Sequence, residues 1–517
     1  MSGFGSLHPD LPRLLKIGGT VLAVLFISMG VVLATHWPFT RQAASYSLER
    51  VSSSEVHMGG FRKIFFPHPG YVIEDLSLTR NSGPNPPLVR VRRLRCSGSW
   101  FAVLSFTHRV REIRLDALHI YIPAHVPPPV RSHPSEKIRA TVTEVIADGA
   151  ILEIARDQAN RGTLRFDFPG LTVSNVARGK SMRFRTLIHN PQPPGDITAA
   201  GTFGPLPTRN PGQAPVDGSF DFTHADLSTF RVIAGTLSAH GKFQGRLAHV
   251  EVRGQTDIPN FEVTRTGHAL HLSAIYNATV NGLNGDVAIE SVNAQLLNTT
   301  VHSRGGLATA PGGHGKTLSL DLKSSQGKIE DLLRLFVKSP RPPLTGSLVF
   351  DTHAVLPSEK KPFLQRVQLE GDFGITNAQF TSSKTEGKVS ELSERAQGKK
   401  KHQSDPYSDP TLSDLRGRFV LRRGTATFAG ASFSVPGAVA RGEGTYNLLN
   451  ERINLYGTLA MQASLSKAAG GVKSIFLKPL DPFFKKKNAG AVVPVQMTGT
   501  YPHPSFKVSL MKKRKSH

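Results

Sequence analysis

The segment around Lys316 has the residue types best suited to chemistry, because it matches a relaxed phosphate-binding loop. Ala310-Pro-Gly-Gly-His-Gly-Lys-Thr317 carries the second glycine, the lysine and the threonine of such a loop, with alanine replacing the first glycine. These loops bind phosphate because backbone N–H groups and a helix N-terminus face it, so a helix must come directly after the lysine. The residues after Thr317 are instead Leu318-Ser-Leu320-Asp-Leu322, a strand pattern. The sequence therefore predicts a hairpin turn at this position.

Histidine and cysteine also lack the neighbours that would make them reactive. His268 and His271 are close in sequence but would point to opposite faces of an extended strand. The sequence contains no HExxH, no CxxC and no carboxylate-rich loop to complete a metal site. Cys96 is the only cysteine, so no intrachain disulfide can form, and there is no G-x-S-x-G nucleophile motif. We predict no catalytic residue, no metal and no cofactor, and a hydrolase is the least supported function.

The strongly basic composition points to an anionic partner. Lys and Arg number 63 against 38 Asp and Glu, a formal charge of +25 that is spread along the chain. Nucleic acid and an anionic membrane surface both attract such a chain. Because no zinc-finger spacing and no basic region running into heptads accompanies the charge, we expect no nucleic-acid partner.

An apolar segment near the N-terminus predicts a membrane anchor. Ile17 to Thr35 contains no charged residue and would span ~28 Å as a helix, close to the ~30 Å of a hydrocarbon core. Arg13 and Lys16 precede it and Trp37 comes after it, which favours a cytoplasmic N-terminus. A cleaved signal peptide is the alternative, but its apolar stretch is normally shorter and ends in small residues.

Beyond residue 56 the dominant hydrophobic period is two, which is typical of strands with one apolar face. Apolar residues alternate in 271–280, 292–296, 318–322, 453–461 and 506–510. In 113–122 the alternation slips by one residue, which predicts a β-bulge. Gly-containing turns and Pro-rich loops separate these segments.

Other segments depart from the strand pattern. Thr40 to Val56 predicts a short interfacial helix, and Glu386 to Ala396 has a weak helical spacing before a polar linker. Ser466 to Lys487 is amphipathic, with prolines that interrupt any helix, and residues 511–517 form a basic tail.

Two parts of the chain resemble AsmA-like proteins. The anchor with Phe65-Phe66-Pro67-His68-Pro69-Gly70 after it looks like the opening of that family. Leu415 to Leu448, with its spaced glycines, is similar to the AsmA C-terminal region. Pro482-Phe-Phe-Lys485 and then Val493 to Pro504 resemble its closing strands. The middle of the chain is similar only in its general alternating strand pattern.

The resemblance implies an inner-membrane protein whose elongated, curled antiparallel sheet forms a groove lined with apolar side chains, with a few short helices. We predict these segments: 1–16 cytoplasmic, 17–35 transmembrane, 36–135 AsmA-like N-terminal β region, 136–382 middle β region, 383–411 helix and polar linker, 412–510 AsmA-like C-terminal region, and 511–517 basic tail. The body is expected in the periplasm.

The resulting functional hypothesis is conveyance of phospholipid acyl chains along the groove towards the outer membrane. The groove candidates are Leu272, Ala274, Tyr276, Ala278, Val280, Leu318, Leu320, Leu322, Ile453, Leu455 and Leu459. Membrane or partner contact is predicted for Phe476, Phe483, Phe484 and Lys485. Each groove candidate could equally belong to a closed β-sandwich core. The alternative function is an envelope scaffold or assembly factor that binds other envelope proteins and carries no lipid.

Overall fold

The computed structural model describes residues 39–52, 54–79, 87–105, 109–122, 141–154, 164–177, 179–205, 210–264, 266–309, 315–337, 339–359, 361–381, 383, 386–387, 390, 393, 413–461, 492–500 and 503–508. These residues form 24 strands and four short α-helices, so the prediction of a mainly β chain is confirmed. The chain divides into two units, Met1–Ile188 with Phe203–Pro205, and His189–Thr202 with Leu206–His517. That division falls inside the predicted middle region, and the predicted segmentation stays a prediction.

The first unit is a sheet with short helices against it. Its elements are α1 (Arg41–Ser52), β1 (Glu55–Ile64), β2 (Gly70–Thr79), β3 (Val89–Gly98), α2 (Trp100–Leu104), β4 (Arg109–Ile122), β5 (Thr141–Ile154), β6 (Leu164–Ala177) and most of β7 (Met182–Pro191). Pairing from β1 to β6 is in chain order and is antiparallel except between β4 and β5, which are parallel. The predicted all-antiparallel sheet is therefore wrong for the β4–β5 pair. A parallel pair needs a crossover of a dozen or more residues, and residues 123–140 supply that length.

A row of left-handed residues crosses this sheet. Asp75, Ala117 and Gly149 have φ angles of 49°, 52° and 68° and lie in one crosswise row of the register. A left-handed residue shifts the in–out alternation by one, so Leu115 and Leu118 both reach the core cluster. The predicted phase slip in β4 is therefore present. The register of β4 against β3 is the same on both sides of Ala117, so no residue is inserted there. The slip is therefore a kink at a left-handed residue, and the predicted β-bulge is wrong.

The first unit has a closed core. Ile73 is fully buried and Leu76 is 2% exposed, and Ala44 of α1 and Cys96 belong to the same cluster. Phe39 and Leu48 pack against it from the helical side. The helix expected within Thr40–Val56 thus covers one face of the sheet.

The second unit is a long meander. Its elements are β8 (Pro194–Phe203), β9 (Pro215–Asp226), β10 (Ile233–Ala234), β11 (Thr236–Arg246), β12 (His249–Val263), β13 (Leu270–Val280), β14 (Val287–Leu296), β15 (Thr299–Thr309), β16 (Lys316–Lys328), α3 (Ile329–Phe336), β17 (Leu344–Leu356), α4 (Phe363–Arg366), β18 (Gln368–Phe380), β19 (Ser413–Arg422), β20 (Thr425–Val435), β21 (Ala438–Asn447), β22 (Arg452–Met461), β23 (Val492–Thr500) and β24 (His503–Val508), with 3-10 turns at Pro211–Gln213 and Leu227–Phe230.

Every pairing described from β11 to β24 is antiparallel and joins strands in chain order. The sheet is curled, and among the described strands β24 pairs only with β23, so the sheet stays open. The predicted curled, open sheet is confirmed to this extent. Because successive strands lie side by side, one face can run without interruption across the unit.

One long edge of the second unit, which we call the sealed edge, has its own small core. Leu344, Leu348, Ile375 and Ala378 are buried there, and Ile329, Leu332 and Leu333 of α3 pack on them. Val435 and Ala438 form a second buried pair at the same ends of their strands. The opposite ends of the strands, which we call the open edge, carry the exposed turn residues Leu283 and Leu449.

A buried carboxylate fixes α3 on the sealed edge. Asp331 is 2% exposed, and its Oδ2 accepts bonds from the backbone N–H of Asn298 (3.0 Å) and the hydroxyl of Thr299 (2.9 Å). Glu330 of the same first turn accepts from the N–H of Gly346 at 3.1 Å. Both carboxylates also lie at the helix N-terminus, where the helix dipole favours negative charge. The helix is thus attached to β15 and β17 by polar bonds as well as by leucines.

Candidate functional site

The register of the second unit brings all three predicted groups of groove residues to one face of the sheet. Val280 pairs with Val287, which pairs with Leu307, which pairs with Leu318. Residues directly opposite each other on paired strands point to the same face. A second row runs from Leu320 through Ala354, Leu369, Leu421, Ala426 and Tyr446 to Ile453. We call the surface that carries the eleven groove candidates the apolar face.

Most of the apolar face is only half-buried. Leu272, Ala274, Tyr276 and Val280 of β13 and Leu318, Leu320 and Leu322 of β16 all have intermediate exposure. Leu455 and Leu459 of β22 do as well. Neighbours on a sheet cover the sides of a side chain, whereas only a second layer covers its end. Among the described residues this layer is confined to the sealed edge, so the rest of the face is uncovered by them.

Two of the predicted residues differ from the others. Ala278 is 9% exposed and Ile453 is 8% exposed, so both are buried. Ala278 is small and lies between the larger Val252 and Ile289 in the register, and Ile453 lies beside Tyr446. These two residues lie on the apolar face but expose little of their own side-chain surface.

The opposite face of the sheet is polar. A cross-strand hydrogen bond joins the ring of His271 to Asp257 at 2.6 Å, and a cross-strand ion pair joins Lys323 to Asp351 at 2.8 Å. Asp321 accepts from His353 at 2.8 Å, which lowers the pKa of this carboxyl group, and Arg304 contributes in the same direction. Such exposed pairs each contribute about 0–1 kcal/mol, so they indicate contact with water more than stability. The two faces therefore differ sharply in chemistry.

A polar rim lies where the apolar face meets the open edge. Lys316 donates to the carbonyl of Asn284 and to Oδ1 of Asp286, both at 2.9 Å. This bond, with a second from Thr309, holds the pKa of Asp286 below its usual range. Thr309 and Lys316 are paired across β15 and β16, and Lys316 is the first residue of β16. The lysine of the phosphate-loop match therefore begins a hairpin strand, as the sequence predicts.

The remaining candidates for chemistry are separate from one another. His268 Nδ1 lies 3.0 Å from the carbonyl of Arg334, whereas His271 contacts Asp257. Cys96 is buried in the first unit, and burial raises the pKa of its thiol to about 11. A thiol is nucleophilic as the thiolate, so Cys96 is poorly suited to react near neutral pH. Within the described ranges no group of three or more His, Cys, Asp or Glu could hold a metal ion.

Some predicted residues lie outside the part of the chain that the structure describes. Phe476, Phe483, Phe484 and Lys485 fall in the segment between β22 and β23, and the predicted anchor 17–35 precedes Phe39. In the described residues no helix combines the length and the apolarity needed to cross a membrane. The roles predicted for these two segments stay predictions.

The sealed edge is the feature that sequence reasoning missed. Ile329, Leu332, Leu333 and Phe336 recur at helical spacing, which is the signal that could have predicted α3. The helix limits the uncovered part of the apolar face to the middle and the open edge.

Comparison with known proteins does not identify a family for this chain. No family model, no curated protein and no solved structure matches the chain. The AsmA-like resemblance stays a prediction, and the two chemically different faces of the second unit carry the functional argument.

Proposed function

We propose that the apolar face of the second unit binds phospholipid acyl chains and conveys them along the sheet within the cell envelope. The observation that carries this proposal is the half-buried state of Leu318, Leu320 and Leu322 in the middle of the sheet. A stable water-soluble sheet normally covers such a row with a second layer. A hydrocarbon ligand would take the place of that layer.

The dimensions of the apolar face suit an acyl chain. From Leu272 to Val280 the strand advances by eight residues, or ~27 Å at about 3.4 Å per residue. One leaflet of a bilayer is ~15 Å deep, half of the ~30 Å hydrocarbon core. An acyl chain therefore fits on the face with its headgroup at the open edge, near Lys316 and Asp286. The sealed edge would stop the chain at the other side.

The energetics favour sliding over tight binding. Completing the burial of a partly exposed leucine contributes less than about 1 kcal/mol, since full burial is worth roughly 1.5–3 kcal/mol. Successive strands repeat the same aliphatic surface, so moving a chain by one strand exchanges equivalent contacts. The apolar contact is non-directional, so no specific bond must break at each step. Transport along such a face requires no catalytic residue.

The cellular setting of the proposal rests on the sequence. A single anchor at 17–35 would place the body in the periplasm, attached to the inner membrane, with lipid moving towards the outer membrane. The basic charge of +25 suits a protein that works beside anionic lipid. Phospholipid and the inner membrane are thus the proposed partners.

Lipid extracted from the body tests the proposal. Residues 40–517, exported to the periplasm without the anchor, should retain phospholipid through gel filtration, and mass spectrometry should find about one or more per protein. Omitting the anchor removes the lipid that surrounds any membrane helix. A folded body free of phospholipid but bound to envelope proteins would contradict the proposal and favour the scaffold function.

A further inference from the structure

One end of the first unit exposes large apolar side chains. Phe65 and Phe66, in the turn between β1 and β2, are 54% and 82% exposed. Phe101 and Leu104, on the outer side of α2, are 78% and 49% exposed. We call these four residues together with Trp100 the aromatic tip. Acyl-chain binding by the apolar face involves none of them.

The side chains of the aromatic tip are held together by specific contacts. Trp100 Nε1 donates to the carbonyl of Pro67 at 3.1 Å, and the rings of Trp100 and Phe66 are 6.1 Å apart. Ala102, on the inner side of α2, is 6% exposed and holds the short helix on the sheet. The turn and the helix are therefore joined, and the exposed rings project from one place. Clustered exposed apolar side chains commonly mark a surface that meets an apolar partner.

Positive charge predominates around the tip, although the carboxylate of Glu112 lies opposite Ser97 in the register. Residues 57–72 and 95–111 contain Arg62, Lys63, Arg95, Arg109 and Arg111, with no Asp or Glu. All five cationic side chains are exposed. Arg111 also lies 3.0 Å from the ring of His68, in the turn that carries Phe66. Apolar rings within a cationic border match an anionic lipid surface, where each basic residue contributes about 1 kcal/mol.

The chain enters the first unit beside this tip. Phe39 packs so closely over Gly98 that a Cβ there would lie 2.6 Å from its ring, and Gly98 is two residues before Trp100. The predicted anchor ends at Thr35, and four residues of extended chain reach at most ~14 Å. The tip would therefore lie close to the membrane surface from which the chain emerges.

We propose that the aromatic tip inserts into the interfacial region of the anionic membrane that holds the anchor. Phe66, Phe101 and Leu104 would enter the boundary between headgroups and acyl chains, and the arginines would contact lipid phosphates. Trp100, with a polar N–H and an apolar ring, suits that depth. This proposal depends on the predicted anchor but not on lipid binding by the apolar face.

Quenching of Trp100 fluorescence by brominated lipid tests the proposal. The chain has two tryptophans, so Trp37→Phe leaves Trp100 as the only reporter in the full-length protein. After reconstitution into bilayers containing phosphatidylglycerol, brominated acyl chains should quench Trp100 strongly. The matched control carries Trp37→Phe, Trp100→Phe and Glu55→Trp, with its reporter at the far end of β1, about 30 Å away. Its quenching should be several times weaker.

Two variants relate the quenching to the tip itself. Phe66→Ser with Phe101→Ser alters exposed side chains only, so the fold should persist while quenching of Trp100 falls several-fold. Arg109→Glu with Arg111→Glu should weaken quenching in anionic bilayers. Equal quenching at positions 100 and 55, or a Trp100 shielded from both brominated lipid and aqueous acrylamide, would overturn the proposal. Shielding from both would indicate a protein partner on the tip.

Discussion

Replacing Leu320 by arginine is expected to remove lipid from the apolar face while the sheet remains folded. Leu320 is half-buried in the middle of β16, with Gly305 and Ala354 beside it in the register. A guanidinium in the path of an acyl chain loses hydration without gaining a partner, which costs at least a few kcal/mol. Since 1.4 kcal/mol is a factor of ten, we expect phospholipid retained per protein to fall about tenfold or more.

The matched control for this variant is Ile275→Arg. Ile275 is 62% exposed on the polar face, between Ala274 and Tyr276 of the apolar face. An arginine there lies in water, so lipid content should equal that of the unchanged protein. Unaltered lipid in Leu320→Arg, or equal losses in both variants, would contradict a role for the apolar face.

A second large effect is expected in stability, because among the described residues the first unit has an extensive buried core, whereas buried clusters in the second unit lie along the sealed edge. Ile73 is fully buried, so Ile73→Ala should lower the free energy of unfolding of that unit by about 2–5 kcal/mol. Leu320→Ala in the lipid-free body shortens a side chain that is only partly buried, so it should cost less, roughly 1 kcal/mol. During urea unfolding of residues 40–517, the fluorescence of Trp100, the only tryptophan in that range, reports on the first unit. Circular dichroism reports the strands of both units, so a transition seen by circular dichroism and not by Trp100 fluorescence belongs to the second unit.

The comparison between these two alanine variants bears directly on whether the apolar face is covered. Two units with different cores need not unfold together, so each transition must be fitted separately. If Leu320→Ala proved as costly as Ile73→Ala, a second layer would have to cover the apolar face. Lipid binding there would then be untenable.

The faces of the sheet could be predicted from the sequence because alternation is a local property. Leu318, Leu320 and Leu322 alternate with polar residues, and any strand formed by them must place the leucines on one side. Antiparallel pairing in chain order then aligns such rows from strand to strand. The apolar face therefore results from the alternation of apolar and polar residues within each strand and from the short connections between consecutive strands.

Other features depend on contacts that no local pattern specifies. The burial of Ala278 and Ile453 depends on the larger residues beside them in the register, and the sealed edge depends on the hydrogen bond between Asp331 and Thr299, which are 32 residues apart. The parallel pairing of β4 with β5 depends on the path of the intervening chain. The aromatic tip arises because the turn at Phe66 and the helix at Trp100 meet only in the folded sheet. Pairings over such distances are set by tertiary packing.

Photo-crosslinking from two adjacent residues tests the central claim most directly. Ala274 and Ile275 are consecutive in β13 but lie on the apolar and polar faces respectively. With a benzophenone amino acid at each position in the full-length protein in cells, position 274 should yield adducts with labelled phospholipid and position 275 should not. Lipid adducts at both positions in equal amount, or protein adducts alone at position 274, would contradict an apolar face that holds acyl chains.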